Sequence, residues 1–342
     1  MRLHNPFARR GKDSIRDWAA RLLDQEGGTP GVGEAGGESR RGTATVIGIG
    51  PGVCRLSSHG ADILARIGIA EPIAPGDVVC LADRGGGPEV VEILPRRSRL
   101  SRPDPALGHQ ERVIAANVDR VVVVASACRP AWRPRLVDRV LVAAAYGGAH
   151  GMVCVNKEDL LACGQERSAL ERDLARLQAA GTTAILVSAT TGNGLDSLRT
   201  ELAGRLAVFV GQSGVGKSTL VNALDPSLGT RTGEVQERSG KGKHTTTSSS
   251  LLELPGGIRI IDTPGVRSFG LWAISPAELA AYFPEFTGAA SHCRFTDCTH
   301  DHEPECGVRA AASAGTVAPG RFESYLRILA SLRGRRAGKV ER

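Results

Sequence analysis

Between residues 42 and 96 short runs of alternating apolar and polar residues recur: Thr43–Ile49, Val53–Leu56, Asp62–Arg66, Asp77–Leu81 and Glu89–Leu94. Gly, Pro and Asp separate them. A period of two marks strands with one buried face. Strands this short and this evenly spaced predict a small closed β-barrel. An OB-fold is the leading candidate, and another small barrel is the alternative.

From residue 113 the pattern changes. Val118–Ala125 is a continuous apolar run, typical of a strand buried on both faces of a parallel sheet. Leu136–Ala145 then reads as helix, Gly151–Val155 as strand, Glu166–Ala179 as helix and Thr183–Val187 as strand. Leu195–Leu202 is helical, Ala207–Val210 is a strand, and Lys217–Leu224 opens a helix. Leu251–Leu254 and Ile258–Ile261 read as paired strands. This alternation predicts a doubly wound sheet with helices on both faces. Beyond Gly270 the chain reads as helical. The fold class is therefore multidomain α/β: an extension over 1–41, a barrel over 42–100, an α/β domain over 113–270 and a helical domain over 271–342 with a basic tail. In the extension, Ile15, Trp18, Ala19, Leu22 and Leu23 fit one face of a short helix, and Gly27–Gly42 reads as a flexible linker.

Composition narrows the class. The chain has 342 residues, 41% of them hydrophobic, with no apolar run near the length of a membrane span. Arg2, Arg9 and Arg10 near the start precede no apolar stretch, so no secretory leader is expected. Eight cysteines without such a leader predict reduced thiols and a cytoplasmic protein. Cys54, Cys80, Cys128, Cys154 and Cys163 lie in apolar stretches and read as small core residues. The net charge of +7 is concentrated locally. Arg96, Arg97, Arg99 and Arg102 form one cluster, and Arg333, Arg335, Arg336, Lys339 and Arg342 form another. One such cluster can be plain solvated surface, but several together favour a polyanionic partner, most simply nucleic acid.

The chemistry concentrates in four motifs. Gly211-Gln-Ser-Gly-Val-Gly-Lys-Ser218, followed by Thr219, has the phosphate-loop pattern between an apolar strand and a helix. Its glycines allow backbone N–H groups of Gln212, Ser213, Gly214, Val215 and Gly216 to approach phosphates, and the helix N-terminus adds a favourable dipole. Lys217 can bridge β- and γ-phosphates, and Ser218 can place its hydroxyl on Mg²⁺. Asp262-Thr-Pro-Gly265 follows the strand 258–261. Its carboxylate can hold Mg²⁺ through water, and the Gly265 N–H can reach the γ-phosphate. Asn156-Lys157-Glu158-Asp159 has the pattern that reads guanine in GTPases: Asp159 accepts from the ring N1–H and the exocyclic amine, Lys157 packs its stem over the base, and Asn156 ties this loop to the phosphate loop. Ser188-Ala189-Thr190 resembles the companion loop, with the Ala189 N–H on the guanine O6. Each motif stands at the carboxyl end of a predicted strand, where ligands bind in such sheets. A common GTPase runs from phosphate loop to base loop. Here the base half, 156–190, precedes the phosphate half, 211–265, so the order is circularly permuted.

Near the C-terminus, Cys293, Cys298, His300 and Cys306 offer three thiolates and one imidazole within 14 residues. That donor set suits one tetrahedral structural Zn²⁺ with no open position. His292 and His302 are rival ligands.

Together these features resemble the RsgA (YjeQ) family of small-subunit-dependent GTPases. The resemblance runs from about residue 42 to about 330 and includes Gly242-Lys-His-Thr-Thr-Thr247 and the stretch Asn117–Arg120. It implies an OB-fold, a permuted P-loop GTPase domain and a C-terminal zinc domain. It also implies GTP hydrolysis stimulated by the small (30S) ribosomal subunit, binding to its rRNA, and release of other assembly factors late in subunit maturation. The protein is expected to be a monomer. Val266 stands where many GTPases carry a water-orienting Gln, and an apolar side chain cannot position water. His244 is the candidate catalytic residue in its place, as the resemblance also implies. Thr246 is the expected switch I ligand of Mg²⁺, with Thr245 and Thr247 as alternatives. Two competing readings are a permuted GTPase of the large subunit and a non-ribosomal RNA-binding module with a structural nucleotide.

Overall fold

The computed structural model describes residues 40–83, 86–104, 110–161, 164–228, 250–263 and 269–337. The expected N-terminal helix, residues 27–39 of the expected linker, Cys163, His244, Thr246, Gly265 and Val266 lie outside the described residues, and Arg40, Arg41 and Gly42 of that linker instead begin a strand. The chain forms two compact units. One runs to Ile73 and resumes over Asp77–Pro95, and the other comprises Ala74–Gly76 and everything from Arg96 onward.

The first unit is a closed five-stranded barrel of β1 (Arg40–Gly50), β2 (Val53–Ser58), β3 (Ala61–Ile67), β4 (Val78–Asp83) and β5 (Pro88–Ile93). Strand β1 pairs antiparallel with both β2 and β4. β2 pairs with β3, β3 runs parallel to β5, and β5 returns antiparallel to β4. This is the expected OB-type closure, which leaves no open sheet edge in the circuit. Alternate side chains fill the interior, among them Val46, Leu56, Ile63, Val79 and Val90. The β2–β3 turn needs positive φ at two successive residues, which His59 (φ 48°) and Gly60 (φ 79°) provide.

The second unit begins with an antiparallel hairpin of β6 (Arg99–Pro103) and β7 (Glu111–Ala116), which the apolar pattern did not predict. Two arginines of the basic cluster are ion-paired within this unit. Arg99 pairs with Glu111 at 2.9 Å, and Arg97 pairs with Asp119 at 2.6 Å.

The sheet follows the expected doubly wound pattern. Its strands are β8 (Arg120–Ser126), β9 (His150–Asn156), β10 (Thr183–Leu186), β11 (Leu206–Val210), β12 (Ser250–Leu254) and β13 (Ile258–Asp262). The spatial order is β10-β9-β8-β11-β13-β12. All pairings are parallel except the β12–β13 pairing, which is antiparallel. The helices are α1 (Pro134–Tyr146), α2 (Gln165–Ala179), α3 (Leu195–Leu202) and α4 (Lys217–Leu224). Val122, Val124, Cys154 and Phe209 meet α3 and α4 residues Leu198, Leu202 and Leu220 on one face. Helix α1 covers β8 and β9 on the other, so close that a Cβ on Gly151 would lie 2.5 Å from Leu141.

The C-terminal segment contains α5 (Thr287–Ala290), α6 (Gly307–Ser313) and α7 (Pro319–Ala337). Phe283, Phe286, Phe322 and Tyr325 pack as an aromatic cluster with centroid separations of 5.0–6.4 Å. This segment belongs to the same compact unit as the sheet. Arg321 on α7 ion-pairs with Asp138 on α1 and, at 2.6 Å, with Glu285, while its guanidinium lies 4.8 Å from the Phe283 ring centroid.

Candidate functional site

Parallel strands β8, β9, β10, β11 and β13 all end on one edge of the sheet, so the loops after them share a crevice. The loop after β11 carries the phosphate motif. A Cβ on Gly211 would lie 2.2 Å from the Val124 carbonyl oxygen. Gly216 has φ +92° and would place a Cβ 2.4 Å from Asn156 Nδ2. Both glycines are therefore demanded by close approach of neighbouring chain. Val215 plugs into the core, whereas Ser213, Gly214, Ser218 and Thr219 are exposed. The backbone of this loop is thus accessible to a phosphate chain.

Lys217, the first residue of α4, is buried and donates from Nζ to the Gly211 carbonyl at 2.9 Å and the Gln212 carbonyl at 3.3 Å. Burial pulls its ammonium below the usual lysine value, opposed by the charge of Asp262. Burial likewise pushes the Asp262 carboxyl up, opposed by Lys217. Asp262 Oδ1 is buried with no hydrogen-bond partner among the described residues. A buried carboxylate oxygen left unsatisfied fits a cation or its water shell. Mg²⁺ is the ion that accompanies phosphate at such a loop, and Ser218 and Asp262 are the described residues that would hold it.

Two loops form the other half of the crevice. Asn156 is buried and bonds in both directions. Its Nδ2 donates to the Val215 carbonyl at 3.1 Å, and its Oδ1 accepts from the Ala189 N–H at 3.0 Å. One side chain therefore joins the phosphate loop, the 156–160 loop and the 188–193 loop. The Ala189 N–H expected on a purine oxygen is thus already donated to Asn156. Lys157 has φ +67°, and its Nζ donates to the Gly214 carbonyl at 2.6 Å and the Arg129 carbonyl at 2.5 Å. Asp159 is exposed, and its Oδ1 accepts from Ser188 Oγ at 2.6 Å. Hydrogen bonding from Ser188 holds its carboxyl below the ordinary value. The Ser188 hydroxyl has one proton, which goes to Asp159. It accepts from the Thr191 N–H at 3.1 Å, so at 2.9 Å Thr190 Oγ1 is the donor to it.

Glu158 does not face the crevice in the manner of a ligand. Its carboxylate bonds Arg167 of α2 at 3.1 Å and also accepts from Asn193 Nδ2. Sequence reasoning missed Arg129, Arg167 and Asn193, because none stands at a fixed offset in a motif.

The cysteine cluster assembles as expected. One ligand atom each from Cys293, Cys298, His300 and Cys306 lies within 4.8 Å of all the others. Cys293 Sγ is 3.9 Å from Cys306 Sγ, and both sulfurs are 3.5 Å from His300 Nδ1. Tetrahedral zinc with its usual bond lengths would set these separations at about 3.8 Å and about 3.6 Å. The residues therefore fit one metal ion. Burial and the neighbouring thiols push Cys298 up to about 12, and a bound cation would reverse that cost. The rivals are elsewhere: His292 Nδ1 is 3.1 Å from the Gly288 carbonyl, and His302 is 76% exposed beside Asp301. Glu303 braces the loop by accepting from the N–H groups of Thr299, Asp301 and His302. Tyr325 donates to the Thr299 carbonyl at 2.7 Å, fastening the loop to α7.

Among the described residues no helix is long and apolar enough to cross a membrane. The RsgA GTPase family model matches residues 93–272. Similar curated proteins include the small ribosomal subunit biogenesis GTPases RsgA of Azotobacter vinelandii and Gemmatimonas aurantiaca. The first is 46% identical over 76% of this chain and 75% of the relative. The second is 44% identical over 77% and 85%. Among solved structures, YjeQ from Thermotoga maritima superposes with a TM-score of 0.68 at 29% identity, covering 85% of this chain and 98% of its own. YloQ, a circularly permuted GTPase, gives 0.66 at 25% identity, with 86% and 95% covered. With a family match over more than half its length and relatives this similar over three quarters of it, the chain belongs to the RsgA GTPase family.

Proposed function

We propose that this chain hydrolyses GTP to GDP and phosphate in the cytoplasm while bound to the small ribosomal subunit, and that it acts late in maturation of that subunit. The observation that carries the reading is Asn156, whose amide bonds the phosphate loop and a base loop at once. It makes one site of two motif groups that the permuted order separates. In the proposed complex, the backbone of 212–216 cradles the phosphates with Lys217, while Asp159 reads the guanine, Lys157 covers it, and Ala189, whose N–H is held by Asn156, meets the base by contact rather than as a donor. Mg²⁺, held by Ser218, Thr246 and Asp262, would offset charge on the phosphate oxygens. Gly265 would meet the γ-phosphate. Glu158 takes part through other residues rather than by touching the nucleotide.

His244 would orient the attacking water when the subunit is bound, since Val266 cannot. The basal rate is then slow and the subunit-stimulated rate high. The Cys293, Cys298, His300 and Cys306 set would hold one structural Zn²⁺, which supplies a cross-link rather than a reaction step. Phe269, the first described residue after the Asp262 turn, is buried where α1 residues Val137 and Val140 line the same pocket as Gly211 and Gln212. Asp138 on that helix bonds Arg321, so a change at the Asp262 turn on γ-phosphate binding would reach the metal segment. Through that route we place release of assembly factors and contact with rRNA under nucleotide control. The domain limits proposed are 1–41, 42–100, 113–270 and 271–342, in a monomer.

The test is GTP turnover with purified small and large subunits. Stimulation by the small subunit alone supports the reading, and equal or large-subunit stimulation overturns it. His244→Ala should abolish stimulated turnover while retaining GDP binding. Asp159→Asn should shift preference from guanine to xanthine nucleotides, and unchanged selectivity refutes the base site.

A further inference from the structure

The third position of the Asn156–Asp159 motif is occupied by Glu158, which the nucleotide reading leaves without work. Its side chain is only 17% exposed, although the neighbouring Asp159 faces solvent. Both carboxylate oxygens are engaged by protein. Oε1 takes Arg167 Nη2 at 3.1 Å, and Oε2 takes Asn193 Nδ2. Arg167 is anchored on α2, where it also bonds Glu171 at 3.3 Å. The Asn193 carbonyl accepts the Ser188 N–H at 2.9 Å, and Ser188 Oγ holds Asp159 Oδ1 at 2.6 Å. The contacts close a ring: Glu158, Asn193, Ser188, Asp159 and back along the chain to Glu158.

We propose that Glu158 is a positioning residue for purine discrimination, a strut that fixes the spacing of the 156–160 and 188–193 loops and hence the placement of the Asp159 carboxylate. This inference rests on the reading of Asp159 as the base-reading group. A carboxylate that reads both a ring N–H and a 2-amino group must present two oxygens at fixed positions. Asp159 already shares one oxygen with Ser188, so its orientation follows that of Ser188. Ser188 is placed by Asn193, and Asn193 by Glu158. The ligand class is a 6-oxopurine nucleotide carrying a 2-amino group. An exposed ion pair alone would contribute little. Here the same carboxylate bonds two different elements, so its removal frees both.

The experiment uses full-length Glu158→Ala and Glu158→Gln, with GDP and IDP as probes, because IDP lacks only the 2-amino group. Dissociation constants and melting temperatures are measured together. In Glu158→Ala, GDP affinity is expected to fall about tenfold and IDP affinity less, so that the GDP/IDP preference drops at least about threefold. Glu158→Gln keeps an acceptor for Asn193 but not the charge toward Arg167, and should fall between. Asn193→Ala cuts the ring and Arg167→Met removes the contact that holds Glu158 from α2, and both should lower the same preference even if Glu158→Ala folds poorly. An unchanged GDP/IDP preference in the folded variants overturns the proposal, whatever the melting temperatures do. Failure of the Asp159→Asn xanthine switch would instead remove the base-site reading itself, so the two failures are distinguishable.

Discussion

Arg321→Met tests how the C-terminal segment is joined to the sheet. Arg321 is 10% exposed and Asp138 is 3% exposed, with Glu285 at 13% on the other side of the guanidinium. Removing the cation strands two carboxylates in a site built around it. Breaking a buried pair from one side costs about 3–5 kcal/mol, because the remaining charge keeps its desolvation penalty. The lost contact with the Phe283 face is part of that figure rather than an addition to it. The double variant Asp138→Asn with Arg321→Met removes one stranded charge and should recover about 1–3 kcal/mol.

The deficit should also depend on pH. Burial raises the Asp138 carboxyl above its ordinary value, and Arg321 is the first influence lowering it. Without Arg321 it rises further. A carboxyl whose folded value exceeds its unfolded value binds more protons in the native state, so stability falls as pH rises through that interval. The deficit of Arg321→Met is therefore larger at pH 8 than at pH 5. Urea unfolding followed by tryptophan fluorescence measures it in a Trp18→Phe, Trp272→Phe background, which leaves Trp132 as the reporter. Trp132 precedes α1, and its Nε1 donates to Asp173 at 3.1 Å. A deficit below about 1 kcal/mol, or one that is flat between the two pH values, would refute the account of a buried ionic tie.

Three further outcomes follow from the same contacts. Gly216→Ala places a methyl 2.4 Å from Asn156 Nδ2 at φ +92°, so titration with fluorescent GDP should show affinity reduced at least about tenfold. Lys217→Met should abolish nucleotide binding in calorimetry while the protein stays folded by circular dichroism, since Lys217 is the cation of the phosphate loop. Metal analysis should find one ion per chain, and Cys298→Ser should lose it. Since Tyr325 fastens the metal loop to the helix that carries Arg321, that loss should also alter Trp132 fluorescence.

The parallel strands and the loop glycines were legible in the sequence because their causes are local. Val121–Val124 are buried on both faces and read as one apolar run, and the Gly211–Ser218 spacing carries its own backbone requirement. Burial alternation made the barrel strands equally plain. The β6–β7 hairpin was not legible, since its strands are rich in arginine whose acidic partners are set by folding. The motif spacing named Asp159 and Lys157 but was silent on Glu158, whose partners Arg167 and Asn193 come from two other elements. Spacing also left three histidines open as ligands. The fold selects His300, which at φ +58° turns its Nδ1 toward Cys293 and Cys306, while His292 is taken by a carbonyl. Asp138 and Arg321 stand 183 residues apart, and nothing near either predicts the other. The sequence by itself determined the barrel strands, the parallel strands and the order of the motif loops between them. Tertiary structure decided which charged side chains meet, because that depends on distances between elements that no local pattern encodes.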